Sequence, residues 1–244
     1  TKSWRVEYNN CYAWVCFDVL TQPVIDNDDS IVRYDGYDPS KLVTADFEAW
    51  ADFCDVLVDD GNDGLEFRFS FNGGFDSEGN LWGAVNKIAQ EARALLVWKG
   101  YSIAVVIDQA GTAVQMFSSG NIVQDSFKET FLPMEDRAGE MEVSFKNENK
   151  DWERDTFYHF NSTLDRPSNK ITAQLIGCTS PGQAWRYADY CLAGNLYWRR
   201  VIEFDVDVDA LACTIGDIID FQHDVPQWGL YGGRIVSATS NTVT

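Results

Sequence analysis

Three stretches in the first half of the chain have apolar patterns that are typical of α-helices. Residues 11–22 (CYAWVCFDVLTQ) are apolar on nearly every side. They predict a buried helix that Asn9 or Asn10 caps and that Pro23 ends. Residues 45–57 and 80–94 each carry their apolar side chains on one face, which predicts two amphipathic helices. Residues 24–43, rich in Asp, Gly and Pro, predict an exposed loop.

Alternation of apolar and polar residues predicts strands in the rest of the chain. In the first half, these are residues 3–8, residues 65–71, and two strands within residues 94–108 that a tight turn at Lys99–Gly100 joins. From about Val114 the strands are short and follow one another closely: VQMFSS, SFKETFLP, GEMEVSFKN, DTFYHF, DIIDFQHD and GGRIVSATSNTVT.

One helix interrupts these short strands, at about 181–195. Ser180 is placed to cap it, Pro181 suits its first turn, and Gln183 is expected to reach back as a capping box. The predicted fold is therefore α+β in two domains. Helices pack on a small sheet in residues 1–113, and a β-rich, barrel- or sandwich-like part with one helix follows in residues 114–244.

Four carboxylates stand at every second position after this helix, and we call them the acidic row: Glu203, Asp205, Asp207 and Asp209. The apolar residues between them predict one continuous strand with one solvent-exposed face and one buried face. A two-residue step along a strand is about 6.6–6.8 Å, so two neighbours could share one Ca²⁺ ion but three or four could not. A glycosidase-like acid pair needs two carboxylates across a cleft. The acidic row is best interpreted as a water-facing sheet surface.

The acidic charge and the few metal-binding side chains limit the possible functions. The net charge of −19 disfavours sequence-independent binding of nucleic acid. Six cysteines without a CxxC pair, and only two histidines, disfavour a zinc site and predict reduced, buried thiols. His159 is interpreted as structural and His223 as part of a surface loop. No cofactor site is predicted.

Two Asp-rich segments and several tryptophans leave alternatives open. DNDDS (26–30) and DDGNDG (59–64) are faintly calcium-like, although turn chemistry explains both equally well. The tryptophans that fit no apolar face are either anchors at a subunit contact or a platform for sugars: Trp4, Trp152, Trp185, Trp198 and Trp228. No apolar run approaches the ~20 residues that cross a bilayer. Because the chain begins with Thr1 and ends in SNTVT, we expect it to be a fragment of a longer chain.

Several short stretches, in order, resemble the middle region of the tail-tip attachment (host-specificity) proteins of lambda-like phages. They are AWVCFDVLTQP, ADFEAWADFCD, the helix before LLVWKG, SFKETF, EDRAGEMEVSF, DWE, GCTSPGQAWRYADY, VIEFDVDVDALACTIGDII and GGRIVSATSNTVT. Each stretch is short, but their collinearity covers nearly the whole chain. The family often has Pro before the first helix and before the late Gly-Asp. Here those positions hold Asn10 or Cys11, and Ile215.

The resemblance implies a non-enzymatic, structural component of the tail tip. Such proteins form homotrimers at the distal end of the tail tube, contact other tail-tip and tail-tube proteins, and leave a passage for the genome. Assembly in the bacterial cytoplasm is implied as well. In this setting the acidic row would face the lumen or a subunit boundary, where negative charge keeps DNA from adhering.

Two other classes of function remain as alternatives. A receptor- or glycan-binding module would expose aromatic side chains around a groove. A cell-wall hydrolase would hold two carboxylates about 5–9 Å apart in a cleft.

Overall fold

A computed structural model describes residues 8–25, 31–61, 63–74, 80–133, 137–160 and 169–224. Within these residues the chain forms four α-helices: α1 (Tyr12–Thr21), α2 (Thr44–Cys54), α3 (Leu81–Glu91) and α4 (Pro181–Tyr197). All four coincide with predicted helices. The N-cap of α1 is Cys11, and neither Asn9 nor Asn10 takes that role. The Asn9 side chain instead accepts a hydrogen bond from the Cys11 amide at 2.7 Å.

The strands are short, as the alternation predicts. They are β1 (Pro23–Ile25), β2 (Ile31–Tyr34), β3 (Leu57–Asp59), β4 (Leu65–Phe67), β5 (Ala94–Lys99), β6 (Ser102–Ile107), β7 (Gln115–Phe117), β8 (Lys128–Phe131), β9 (Ala138–Asn147), β10 (Glu153–Phe160), β11 (Asn169–Gln174), β12 (Arg200–Glu203) and β13 (Ile219–Phe221). The mixed α+β class is thereby confirmed. The predicted strands at 3–8, apart from Tyr8, and at 232–244 lie outside the described residues.

Two local predictions in the first half are wrong. The segment 24–43 is not wholly loop, because β1 and β2 pair antiparallel within it and Pro39–Lys41 forms a 3-10 turn. Both strands are rich in β-branched and aromatic residues, which suit a pleated surface. The β5–β6 turn is centred on Gly100 and Tyr101, since Lys99 pairs with Ser102. Gly100 has φ +65°, a conformation that glycine adopts at low cost.

The chain forms two compact units that are not continuous in sequence. The larger unit combines residues 1–109 with 131–201, and the smaller unit combines 110–130 with 202–244. These two units are groups of residues that lie in spatial contact. The predicted division at 113/114 concerns parts of the chain that fold as separate domains, and it stays a prediction.

Helices α1, α2 and α3 enclose the first core of the larger unit. Helix α1 packs on α2 and α3, and the β5–β6 hairpin packs on α3 and α2. Large side chains are completely buried in this core, among them Tyr12, Leu20, Phe47, Trp50, Val85, Ile88 and Ile103. The apolar stripe predicted for the second helix is confirmed at its buried positions: Phe47, Trp50, Ala51 and Cys54.

A three-stranded sheet with α4 on one face forms the second core of the larger unit. Strand β9 lies in the middle, antiparallel to β10 and parallel to β11. Its inward side chains are Met141, Val143 and Phe145, and they belong to one apolar cluster with Ala184, Ala188 and Leu192 of α4. Small alanines on α4 let the helix lie close to the sheet.

The predicted cap of α4 is half right. Ser180 accepts a hydrogen bond from the Gln183 amide, and Pro181 begins the helix. The Gln183 side chain does not close a capping box. Its carbonyl oxygen accepts from the Ser70 amide at 2.9 Å, and its amide group donates to the Tyr12 hydroxyl at 3.1 Å. Because Gln183 is buried away from water, its side chain bonds to these polar groups of the protein instead.

Candidate functional site

The acidic row does not lie on one continuous strand. Strand β12 ends at Glu203, Val206 makes an isolated bridge to Ile122, and Asp209 lies in a 3-10 helix over Val208–Ala212. The prediction of an unbroken strand is therefore wrong. Strand β8, the partner of β12, is only four residues long. Without a partner ladder the chain beyond Glu203 has no reason to stay extended.

The alternation of exposure nevertheless holds for most of the acidic row. Glu203, Asp205 and Asp207 are exposed, while Phe204 and Val206 between them are half-buried. The pattern breaks at Val208, which is exposed like its acidic neighbours. Three of the four carboxylates thus share a solvent-facing edge, and Asp209 follows on the 3-10 helix.

Three contacts fix the start of the acidic row in the smaller unit. The Lys128 ammonium lies 3.1 Å from a Glu203 carboxylate oxygen, with both side chains largely exposed. The Asp205 backbone accepts from the Val123 amide at 2.9 Å and donates to the Ser126 hydroxyl at 3.0 Å. The row therefore begins with a paired charge, and its backbone is anchored to residues 123–126.

The cluster behind the acidic row is aromatic and includes one histidine. The Phe204 ring contacts Phe117 and Phe221, with ring centroids 5.5 Å and 5.1 Å away respectively. The His223 ring stacks on Phe127 at 4.2 Å and is buried. The interpretation of His223 as a surface-loop residue is therefore wrong. Flat aromatic neighbours on the adjoining segments cover its ring.

The described residues contain no group of three or more His, Cys, Asp or Glu side chains that could hold a metal ion. In the segment 59–64, Asp59 accepts from the Gly61 amide at 2.7 Å and Asp60 accepts from the Gly64 amide at 3.0 Å. These are the turn contacts that Asp residues commonly make. The segment 26–30 lies outside the described residues.

A buried polar network, which the sequence did not reveal, ties α4 to the helices of the first half. Glu91 is buried at the end of α3 and accepts from the Tyr12 hydroxyl and from the amides of Ile176 and Gly177. Burial raises the pKa of Glu91. Burial, followed by the proximity of Glu91, raises the pKa of Tyr12 well above its usual value. The network is satisfied by its own members, so it holds the fold together.

A second polar cluster fixes the β3–β4 hairpin to α4. The Arg186 guanidinium lies 2.6 Å from Glu66 and donates to the backbone oxygens of Asp59 and Arg68. The Ser180 hydroxyl donates to the other Glu66 oxygen. Both the arginine and the glutamate are mostly buried, so the pair is strongly oriented.

The outer side of the same hairpin is apolar, and we call Leu57, Leu65 and Phe67 the hairpin face. Leu57 pairs with Phe67 across the strands, and all three side chains are exposed. Elsewhere in the larger unit Trp152, Trp185 and Trp198 are also more than half exposed. Trp185 contacts His159, whose ring nitrogen lies 3.2 Å from Asp189. These exposed apolar groups have the character of contact surfaces.

Comparison with known families defines the class of protein. A family model described as “Putative phage tail protein” (Phage-tail_3) matches residues 82–236. This range is more than half of the chain, and the chain belongs to this family of phage tail proteins.

The named relatives are tip attachment proteins. The chain is 24% identical over 224 residues to “Tip attachment protein J” of Escherichia phage SECphi27 and 23% identical over 189 residues to the protein of the same name in Escherichia phage SECphi4. These matches cover 89% and 75% of this chain but only 18% and 16% of the relatives, so the chain spans less than a fifth of their length.

A solved structure is also similar in part. The tail protein from Neisseria meningitidis MC58 aligns with a TM-score of 0.48 and 12% identity, over 67% of this chain and 51% of that one. No helix in the described residues is both long and apolar enough to cross a bilayer.

Proposed function

We propose that this protein is a structural part of the hub at the tip of a phage tail, where three copies of the full-length chain form a ring around the path of the genome. The observation that carries this proposal is the match over 89% of the chain to a protein named for tip attachment. Other tail-tip and tail-tube proteins would then be its neighbours, and the virion tail tip would be its location.

The larger unit combines a well-satisfied polar interior with exposed apolar side chains, as a subunit of an assembly requires. Buried polar groups such as Glu91 and Gln183 find their partners within the fold. The hairpin face and the exposed tryptophans offer apolar area to neighbours. Surfaces of this kind are commonly buried when proteins assemble.

In this role the acidic row lines the lumen or a subunit boundary. Its three outward carboxylates at positions 203–207 and the net charge of −19 support this placement. DNA phosphates would be repelled rather than bound by such a wall. Glu203 contributes less than the others because Lys128 is paired with it.

The ring is tested with the full-length protein. We expect a mass of three chains by light scattering or native mass spectrometry, and a ring at the tail tip in cryo-electron micrographs of virions. A monomer in solution together with absence of the protein from purified tails would refute the proposal.

The acidic row is tested with amide variants of the full-length protein. Asp205→Asn, Asp207→Asn and Asp209→Asn together should leave assembly intact and slow DNA ejection. Asp52→Asn, Asp63→Asn and Glu153→Gln together change the charge equally at exposed positions elsewhere and should have no effect. A tail-tip structure in which the row faces bulk solvent would contradict the placement.

A second candidate function is recognition of a cell-surface glycan, which the exposed Trp152, Trp185 and Trp198 favour. Aromatic faces stack on sugar rings, and Trp185 is held in place by His159. Glycan-array binding by the isolated chain, lost on Trp185→Ala and kept on Tyr197→Ala, would support this alternative. We propose no catalytic role, because neither the family nor the named relatives point to one.

A further inference from the structure

The hairpin face is an apolar surface that the chain itself leaves uncovered. Leu57, Leu65 and Phe67 are 56%, 69% and 49% exposed. Leu57 lies opposite Phe67, and Asp59 lies opposite Leu65. Because alternate residues of a strand point to opposite sides, these four side chains share the outer side of the hairpin, and Glu66 lies on the inner side. Burial of the three apolar side chains by a partner would remove them from water and is favourable.

The hairpin is held firmly from its inner side. A two-stranded hairpin is only marginally stable alone. Here the Arg186 guanidinium lies 2.6 Å from Glu66 and donates to the backbone oxygens of Asp59 at 3.2 Å and Arg68 at 2.9 Å. The Arg68 amide donates to the Val56 oxygen at 2.8 Å and so extends the pairing of the two strands. The hairpin face is therefore preorganised, and a partner that covers it orders little further structure.

The charge around the hairpin face is negative. Residues 52–68 contain six acidic residues and one basic residue. Asp55 lies just before the first strand of the hairpin, Asp59 lies at the turn, and both are exposed. The basic residue is Arg68, whose guanidinium lies 4.3 Å from the centre of the Phe53 ring and donates to the Phe53 oxygen at 3.2 Å. The hairpin face thus has a carboxylate at each end, and the arginine of this segment is engaged elsewhere.

We propose that the hairpin face is a docking site for a segment of a second protein that has an apolar centre and basic residues on both sides. The apolar centre covers the hairpin face, and the flanking basic residues meet Asp55 and Asp59. A second copy of this chain fits less well, because it carries the same net charge of −19 and like charges in a contact are costly. That the partner is a neighbouring tail protein rests on the proposed function, but the chemistry of the site does not.

The first test titrates a fluorescent peptide with the purified protein. The peptide has the central stretch Ile-Leu-Phe-Val and two lysines at each end. One control peptide has glutamates in place of the lysines, and another has serines in place of the central stretch. We expect saturable binding of the first peptide alone, weakened by added salt. Binding of none of the peptides, or equal binding of the first peptide and either control, would overturn the proposal.

A leucine variant tests whether the peptide binds at the hairpin face. Leu65→Ser should weaken binding about tenfold, because it removes a large apolar contact. Leu211→Ser removes an exposed leucine from the smaller unit and should bind the peptide like the wild type. Both leucines are exposed, so melting curves should show that both variants fold. Equal affinities of the two variants would contradict the assigned place of binding.

A pair of amide variants tests the flanking carboxylates. Asp55→Asn together with Asp59→Asn should weaken binding about three- to tenfold at low salt and reduce its salt dependence. Asparagine retains the acceptor oxygen that Asp59 offers to the Gly61 amide. Asp125→Asn together with Glu153→Gln removes the same charge from exposed positions elsewhere and should have little effect. Equal weakening by both pairs would mean that net charge alone attracts the peptide, and the proposal would fail.

Sedimentation of the purified protein tests the second copy as the occupant. We expect Leu65→Ser and Leu211→Ser to have the same mass in solution as the wild type. An oligomer that only Leu65→Ser dissociates would show that a second copy covers the hairpin face, and this result would overturn the proposal. Absence of the protein from purified tails would refute the hub without changing the peptide result, and failure of the peptide to bind would leave the hub intact.

Discussion

The Tyr12 hydroxyl donates to the Glu91 carboxylate across 3.2 Å, and both side chains are buried in the larger unit. Gln183 donates to the same hydroxyl from α4. One buried contact therefore joins α1, α3 and α4. Because each donor has an acceptor here, loss of one member leaves the others unsatisfied in a dry environment.

Removal of the Glu91 carboxylate should destabilise the larger unit strongly. Glu91→Ala leaves the Tyr12 hydroxyl and the amides of Ile176 and Gly177 without their acceptor. We expect a loss of about 3–5 kcal/mol in the free energy of unfolding, measured by urea titration. Glu153→Ala, which removes an exposed carboxylate from β10, should change it by less than about 0.5 kcal/mol. Equal effects of the two variants would contradict the role of the network.

The raised pKa of Glu91 predicts a pH dependence of known sign. A carboxyl whose folded pKa lies above its unfolded value of 4.5 favours folding below that value, and this contribution is lost as the pH rises through the folded pKa. The stability of the wild type relative to Glu91→Gln should therefore fall from about pH 4 upward. The comparison with the neutral variant cancels the other carboxyl groups. If the stability difference between the wild type and Glu91→Gln instead rose with pH, the hydrogen bonds to Glu91 would lower its pKa by more than burial raises it.

The helices α1 to α3 could be predicted because their apolar patterns are local properties of the sequence. The partners of Glu91 could not be predicted in the same way. A glutamate at the end of an amphipathic helix normally faces water, and its acceptor role depends on Ile176 and Gly177, which lie 85 and 86 positions further along the chain. The predicted capping box at Gln183 is wrong for the same reason, because its side chain bonds to Ser70 and Tyr12, which lie far away in the sequence.

The strands show a related limit. Strand β11 was not predicted, because NKITAQ has few apolar residues and its place is set by the parallel pairing with β9. The acidic row illustrates the converse error. Its period of two is real, but a strand also needs a partner, and β8 supplies one only as far as Glu203. Pattern alone indicates which side chains face water, and pairing decides where a strand ends.

Glycine is required at position 177 by the packing of Phe71. A Cβ added there would overlap the ring carbons of this buried side chain. Gly177→Ala should therefore lower the melting temperature by roughly 5–10 °C, since the rigid ring has no room to move. Gly74→Ala places its methyl group in open space and is the matched control. If both variants melt with the wild type, the close approach of Phe71 is not a constraint.

The two ion pairs that involve glutamates 66 and 203 should differ sharply in strength. Arg186 and Glu66 are mostly buried and are supported by further hydrogen bonds, whereas Lys128 and Glu203 are exposed. Arg186→Ala should lower the free energy of unfolding by about 3–5 kcal/mol, because it leaves Glu66 unpaired. Lys128→Ala should change it by about 0–1 kcal/mol.

Arg186→Lys separates charge from geometry in the buried pair. Lysine keeps the positive charge but lacks the planar fork that reaches Glu66 and the Arg68 oxygen together, so we expect at most partial recovery. Chemical denaturation of the wild type, Arg186→Ala, Arg186→Lys and Lys128→Ala at two salt concentrations measures all four. Added salt should weaken the contribution of Lys128 more than that of Arg186, because exposed charges are screened by salt much more than buried ones. Full recovery by lysine, or equal costs at both pairs, would show that α4 does not depend on the Arg186 fork to hold the hairpin.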